Sequence, residues 1–542
     1  MTTLPRPLRR AIHAVLLAAA AVCLGLHFVH LSADFPNDSP WMDWSKYTDE
    51  GWYGDAAIRH FQLGHWYVPG DFNPAAALPV LPFVEALVFS FTGVSLVAAR
   101  ALTVVIFAGI LLASWLLVTR HSPARYDSLA ASSAVLLLAA SPFCFVFTRL
   151  AIIEPLLILL TLLALLAVPH RRAARLSSIN FPTILALGIL IPVLILIKTT
   201  ALFLMPAIFW MLFASSSYRL RAFVRTAVPA VLLAAVLWAI YYYFAVVHPG
   251  HLLDFHYLFS ANAYTGISRE NFLSVLTETA RDGLWVGRIV FPLALAALAI
   301  AAAMAVASPS RLLANPLIHA LFLWIAGYTA FLAYHNNLQP RYYLVIAVPL
   351  TLLLVVVCES LVLPQVSAPR ALTVAAIALA AIVIPDARKI VEYVRDPDYT
   401  LVGAAADIAA YIRYDQKSDP THNPLILSIS GSDISLMTGI PSICDDFGTL
   451  ELVDRVKQYK PGWYVAWNQV EDDKMDALTP SYTLERVAEF PAMDDPDRNL
   501  LILYKLYPAG SQPPHPRHGR KPTPKRLRTK IGQQPSVEQL RH

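Results

Sequence analysis

Residues 78–99 read LPVLPFVEALVFSFTGVSLVAA, and whether this stretch crosses a membrane decides the topology of everything after it. A spanning helix needs roughly 17–25 mostly apolar residues. The stretch has the length but carries Pro79, Pro82, Glu85 and Gly93. Eleven other segments are clearer: 11–31, 101–118, 128–148, 150–168, 179–197, 199–214, 226–247, 289–307, 317–334, 343–363 and 371–385. Short cytoplasmic loops are enriched in Lys and Arg, so loop charge can arbitrate. If 78–99 does not span and the N-terminus is cytoplasmic, the inner loops hold Arg120 and Arg125; Arg171, Arg172 and Arg175; Arg219, Arg221 and Arg225; Arg311; and Arg370. If it spans, all of them flip outside. The stretch is therefore expected to be a juxtamembrane or re-entrant helix on the outer face.

The whole composition agrees with a multi-pass membrane protein, for which the plasma (inner) membrane is the expected location. The chain has 542 residues, 57% hydrophobic and only 15% charged, against about 25% charged in soluble proteins, and its mean hydropathy is +0.53. Arg6, Arg9 and Arg10 precede the first segment, but no small-x-small cleavage site follows Cys23, so that segment reads as an anchor. Four cysteines, three of them in apolar runs, make no disulfide framework. The net charge of +5 is a local effect: residues 509–542 hold eight Lys/Arg against one Glu, leaving the other 508 at −2. The basicity belongs to a tail, not to a nucleic-acid surface.

The expected fold is thus an α-helical polytopic membrane protein of about eleven transmembrane helices (1–385) with a small C-terminal α/β extracytoplasmic domain (386–508) and a disordered basic tail (509–542). Within 386–508, helices are expected at Val402–Asp415 and Thr449–Tyr459, and strands at Leu425–Ser430, Trp463–Trp467 and Leu500–Tyr507.

On this topology the unusual polar residues gather at one membrane face. The first external loop is acidic, with Asp34, Asp38, Asp43, Asp49, Glu50, Asp55 and Asp71; most of these read as a solvated loop. Asp49-Glu50 differs, because Trp52/Ala56 and Tyr53/Ala57 recur behind it at helical spacing. Acids in a first turn suit the helix dipole, so an amphipathic helix lying on the bilayer is expected there. Glu154 opens a span, with Pro155 tolerated in the first turn, and either pairs with Arg149 or serves a site. Lys198 ends an uncharged run and is either a snorkelling lysine or a ligand for an anion. His335 to Tyr343 joins two spans and includes Arg341. Glu85 is either a buried hydrogen-bonded residue or a cavity liner. A carboxylate can take a proton from a hydroxyl nucleophile, and Lys or Arg can hold a departing phosphate. Together these parts suit chemistry on a phosphate-linked lipid at the membrane surface.

In order and spacing these motifs resemble the C-type (GT-C) integral-membrane glycosyltransferases, closest to the family 39-like branch of protein O-mannosyltransferases and lipid A aminoarabinose transferases. The matching residues are Thr48-Asp49-Glu50-Gly51-Trp52-Tyr53 with Ala56-Ala57; the Pro79–Gly93 stretch followed by Arg100; Arg149 with Glu154; Lys198-Thr199-Thr200; and Arg341-Tyr342. The similarity covers about residues 1–385. It implies transfer of a hexosyl or pentosyl group from a polyprenyl-phosphate donor, with inversion, to a hydroxyl of a glycan, lipid or protein acceptor. By the resemblance Asp49 is the catalytic base or a metal-contacting acid, Glu50 supports it and Glu154 lines the acceptor or metal site. Lys198, Arg341 and Arg149 would bind the donor phosphate, and Asp55, Glu85 and His335 would line the site. Some relatives use a divalent cation and others do not, so that cofactor stays open, with Asp49 and Glu154 as its candidate ligands. Two positions depart from the pattern: Glu stands at 154 where Asp is commoner, and Asn73-Pro74 replaces an acid-lysine doublet. They leave the acceptor open.

Two other readings use similar parts. A transporter or flippase of lipid-linked saccharides would place charges near the midplane in repeated halves, and no repeat is visible. A polymerase or ligase of such saccharides would share the cations without requiring the acidic pair.

Overall fold

The structure is a computed structural model describing residues 5–511 except 37–38, 42, 123–127, 171–179, 262–272, 275, 279–280, 282, 284–285, 308–312, 314, 335–337, 363–367 and 496. His335 and nearly all of the tail lie outside the described residues.

The helices come in the expected places. They run α1 (Arg6–His27), α2 (Asp49–Leu63), α3 (Val80–Thr92), α4 (Leu96–His121), α5 (Leu129–Ala139), α6 (Pro142–Phe147), α7 (Glu154–Ala167), α8 (Phe181–Ile197), α9 (Met205–Ser215), α10 (Leu220–Tyr241) and α11 (Leu252–Ala261). Further helices cover Val290–Ala307, Pro316–Tyr334, Leu344–Val357 and Ala368–Arg395. Five stretches among the described residues are each long and apolar enough to cross a membrane: Arg6–His27, Leu96–His121, Leu220–Val247, Pro316–Ala333 and Pro340–Val362. Of the remaining expected spans, 371–385 lies within the longer helix Ala368–Arg395, and the others are helical but shorter or interrupted. The segment 128–148 breaks in two because Ser141 accepts the Cys144 amide as an N-cap and Pro142 starts a new helix.

The deciding stretch is not one helix. Gly93, at φ +70°, ends α3, and Ser95 caps α4. Thirteen helical residues reach only about 20 Å, short of the roughly 30 Å hydrocarbon core. One face of α3 buries Leu81, Glu85 and Phe89; the other exposes Phe83, Leu87 and Phe91. That outward apolar stripe, at i, i+4 and i+8, suits lipid contact rather than water.

The boundary expected at 385 falls inside a continuous helix that carries on to Arg395, with Pro385 within it. Beyond it lies a five-stranded sheet in the order β2-β1-β3-β5-β4, where β1 is Ile426–Leu427, β2 Ser442–Ile443, β3 Trp463–Trp467, β4 Tyr482–Pro491 and β5 Leu500–Pro508. β1 runs parallel to β2 and β3, whereas β5 runs antiparallel to both β3 and β4. Helices Thr400–Ser418, Gly431–Thr438, Leu452–Tyr459 and Asp472–Leu478 complete the domain. β4 escapes the sequence pattern because it is an edge strand with a bulge between Arg486 and Ala488 and no fully buried face.

This domain is fastened to the first loop. Tyr47 packs in its core with Trp463 and Trp467, and Val68 joins a second cluster with Tyr464 and Leu506. Asp34 caps the helix Thr400–Ser418 from outside it, accepting the amides of Leu401 at 2.8 Å and Val402 at 3.0 Å. Asp71 accepts the Cys444 amide at 3.1 Å and binds Arg455 at 3.0 Å and Arg59 at 2.5 Å. Two acids that read as solvated loop, Asp34 and Asp71, thus bind the C-terminal domain, and so does Asp55, expected to line the site, which accepts the Ser432 hydroxyl at 2.8 Å.

Candidate functional site

The centre of the site is Arg341. It sits in the turn Pro340–Tyr343 that opens the helix Leu344–Val357, where a buried guanidinium can only be tolerated among acids. Three surround it. Asp43 accepts both its backbone amide, at 2.8 Å, and Nη1. Asp49 Oδ2 lies 2.6 Å from Nη2, and Glu154 Oε1 lies 3.9 Å from Nε. Lys198 binds Glu154 Oε1 at 2.6 Å, and its ammonium lies 4.1 Å from the centre of the Tyr342 ring. Four of the expected site residues, Asp49, Glu154, Lys198 and Arg341, therefore form one buried cluster.

Local structure explains each placement. Asp49 begins α2, and Thr48 spends its hydroxyl on the Trp44 carbonyl and on Asp49 Oδ1. Glu154 is the first residue of α7, ahead of Pro155. Lys198 lies in extended backbone between α8 and the 3-10 turn Thr199–Leu204. Each charged group stands at a helix end, where backbone groups lack intrahelical partners. Burial, together with the charges of Asp43 and Glu154, pushes the Asp49 carboxyl above its usual 3.8, against the pull of Arg341. A raised carboxylate is a stronger base.

Asp43 was not singled out by sequence reasoning. Its partner is 298 residues away, so spacing offered no signal. A local one existed: Asp43 caps the turn Trp44–Lys46 by accepting the Ser45 amide at 2.8 Å, a rigid setting unlike that of a free loop acid.

The other expected residues lie elsewhere. Glu50 forms a two-pronged pair with Arg100, Oε1 to Nε at 2.8 Å and Oε2 to Nη2 at 2.5 Å, and accepts the Ala151 amide at 2.8 Å. Its oxygens join α2, α4 and the turn before α7. Arg149 donates to the carbonyls of Val29 and His30 at 2.6 and 2.8 Å and lies over Phe145, pairing with neither Glu154 nor the Arg341 cluster. It lines a separate small hollow with Asp34 and Arg100. Asp55 pairs with Arg59 at 2.9 Å and so serves the domain junction. The helix expected to lie on the bilayer surface is instead enclosed, with Asp49, Glu50, Gly51, Gly54 and Ala57 all buried. Glycines at 51 and 54 let neighbours press on it, and periodicity alone cannot see those neighbours.

Glu85 is one of them. Its Oε2 occupies the space a Cβ on Gly54 would need, and neither oxygen has a hydrogen-bond partner. Burial, reinforced by the charge of Glu50, holds its pKa well above the ordinary 4.5. A carboxyl raised on folding takes up protons as the chain folds, so its stability contribution is complete below about 4.5 and is lost as pH rises towards the folded value. Glu85→Gln should therefore unfold like the parent near pH 4 and gain about 1.4 kcal/mol for each pH unit above it until that value is reached. Thermal unfolding in detergent across pH 4–8 measures this.

The fit to a divalent cation is poor. Among the described residues no three His, Cys, Asp or Glu side chains form a set that could hold a metal. Asp49 and Glu154 converge on Arg341 and Lys198 rather than on a shared open point. No step is assigned to a metal.

No family model matches the sequence, and no curated protein matches it. Solved structures do match. ArnT from Cupriavidus metallidurans in the apo state superposes with TM-score 0.59 at 16% identity, over 91% of this chain and 98% of that one. The same protein bound to undecaprenyl phosphate gives 0.57 at 15% identity, over 90% and 97%. The oligosaccharyltransferase of Archaeoglobus fulgidus, in its apo form, gives 0.51 at 14%, over 83% of this chain and 69% of that one. At such identities the likeness speaks for architecture. The protein is an integral membrane protein with a GT-C-like fold.

Proposed function

We propose that the protein is a glycosyltransferase that moves a hexosyl or pentosyl group from a polyprenyl-phosphate donor to a hydroxyl on a glycan, lipid or protein acceptor. The reaction is placed at the outer face of the plasma (inner) membrane, with the N-terminus cytoplasmic and the C-terminal domain outside. The observation that supports it best is the gathering of two cations, Arg341 paired with Asp49 and Lys198 paired with Glu154, in one buried cluster that also holds a base-competent carboxylate, Asp49.

In this reading the donor phosphate replaces carboxylate contacts on Lys198 and Arg341, which supply charge-assisted donors to its oxygens. Asp49 takes the proton of the acceptor hydroxyl as that oxygen attacks the anomeric carbon. The bond from that carbon to the phosphate oxygen breaks, and the electron pair stays on the phosphate, where the two cations stabilise it. Attack opposite the leaving group inverts the centre. Glu154 orients Lys198, and its Oε2, buried without a hydrogen-bond partner, is free to accept from a bound hydroxyl. The likeness to ArnT, a protein solved with undecaprenyl phosphate, supports a polyprenyl donor.

The test is consumption of a polyprenyl-phosphate sugar by the purified protein in lipid nanodiscs, with release of polyprenyl phosphate. Lys198→Ala should lower kcat/KM for the donor about 10²-fold. Movement of intact donor between leaflets without bond cleavage would favour the transporter reading, and chain growth from a polyprenyl-diphosphate glycan the polymerase.

A further inference from the structure

α2 carries Asp49 but does not cap itself. The Thr48 hydroxyl is engaged by the Trp44 carbonyl and Asp49 Oδ1 and makes no bond to the first-turn amides. The first amides of any helix need outside partners. Here the C-terminal domain comes to them. The start of the helix Gly431–Thr438 presses so closely on α2 that a Cβ on Gly51 would overlap the Asp433 amide and the Ser432 carbonyl. Only glycine fits there. The approach is fixed by an adjacent bond, the Ser432 hydroxyl to Asp55 Oδ1 at 2.8 Å, and further out by Asp34 and Asp71.

The side chain that this approach delivers is a carboxyl. Asp433 is 2% exposed, and its Oδ2 has no hydrogen-bond partner. The groups that act on its charge are Asp49 and Glu50 on α2, Arg100 on α4 and the Gly51 amide. Of these, Arg100 is already committed to Glu50 and to the carbonyls of Leu31 and Ala33. Asp433 stands in the first turn of the helix Gly431–Thr438, at the point where that helix abuts Gly51, and its buried carboxyl is thereby brought beside the base-bearing turn.

We propose that Asp433 is a positioning residue of the transferase site: from the C-terminal domain, its carboxyl oxygen holds the first turn of α2 at Gly51 and so keeps Asp49 facing Arg341. The domain is then a fixed wall of the site rather than a lid over it. This rests on the transferase reading above, and two measurements separate its failure from the failure of that reading.

The first needs no activity. Hydrogen exchange of the amides at 49–51 should quicken at least tenfold in Asp433→Ala and stay near the parent rate in Asp433→Asn, which keeps an accepting oxygen of the same reach. The second uses donor turnover in nanodiscs. Asp433→Ala should lower kcat about tenfold, as a misplaced base does, and leave the donor KM within twofold, because Lys198 and Arg341 are untouched. It should also move the acid limb of the kcat–pH profile, since Asp49 would gain access to water. Asp433→Asn should restore kcat and the limb. Parent-like exchange in Asp433→Ala, or a lowered melting temperature with kcat and acid limb unchanged, would overturn the proposal. So would Asp433→Asn failing as badly as Asp433→Ala. If the parent consumes no donor, the transferase reading falls, and exchange alone decides whether Asp433 holds the turn.

Discussion

Asp49→Asn is expected to lower kcat by about 10²- to 10⁴-fold, the range a positioned general base contributes, while Arg341 keeps its pair with Asp43 and the amide oxygen keeps the contact with Thr48. The parent should show an acid limb in its kcat–pH profile above 3.8, since burial, Asp43 and Glu154 together raise the Asp49 carboxyl. The sign follows from the role: as pH falls through that raised value the carboxylate is protonated and can no longer take the hydroxyl proton. Asp43→Asn removes one of the raising charges, so its limb should move to lower pH. Steady-state donor turnover at pH 4–9 measures both. Retention of full activity by Asp49→Asn would remove the base from the scheme.

Arg341→Ala should carry the largest structural cost. It leaves the carboxylates of Asp43 and Asp49 buried without their cation, and breaking a buried pair from one side costs about 3–5 kcal/mol. Thermal unfolding in detergent should show the drop. Arg341→Met combined with Asp43→Asn and Asp49→Asn, which removes the stranded charges too, should recover most of the stability and none of the turnover. That pattern would separate what Arg341 does for the fold from what it does for the phosphate.

How much of this could be read from the sequence depends on which physical signal each feature leaves. Apolar length located the helices, and loop charge kept 78–99, with its Pro79, Pro82, Glu85 and Gly93, from being counted as a span. Glu154, Lys198 and Arg341 were legible because each sits near a span end, where charge beside an apolar run stands out, and Asp49 because Trp52/Ala56 and Tyr53/Ala57 follow it at helical spacing. Asp43 and Asp433 left no such mark. Asp43 is an acid among other acids and Asp433 a lone acid in a helix's first turn, and what distinguishes each is a neighbour hundreds of residues away. Glu50, adjacent to Asp49, read as a second site acid. One position along a helix is a turn of about 100°, which points it at Arg100 instead. Arg149 failed for a related reason, since five residues before Glu154 the chain is not yet helical and directs the guanidinium to the carbonyls of Val29 and His30.

The separation of 298 residues between Asp43 and Arg341 has a bearing on biosynthesis. On the proposed topology the first loop reaches the outer side while the ribosome is still making the middle spans, before the guanidinium that Asp43 and Asp49 share has been made. Water must keep them solvated through that interval, so the loop cannot settle against the bilayer until the tenth segment arrives. Pairing across so long a stretch is a late event in folding. On the proposed function, a chain stalled before residue 341 would be inserted yet unable to transfer a sugar.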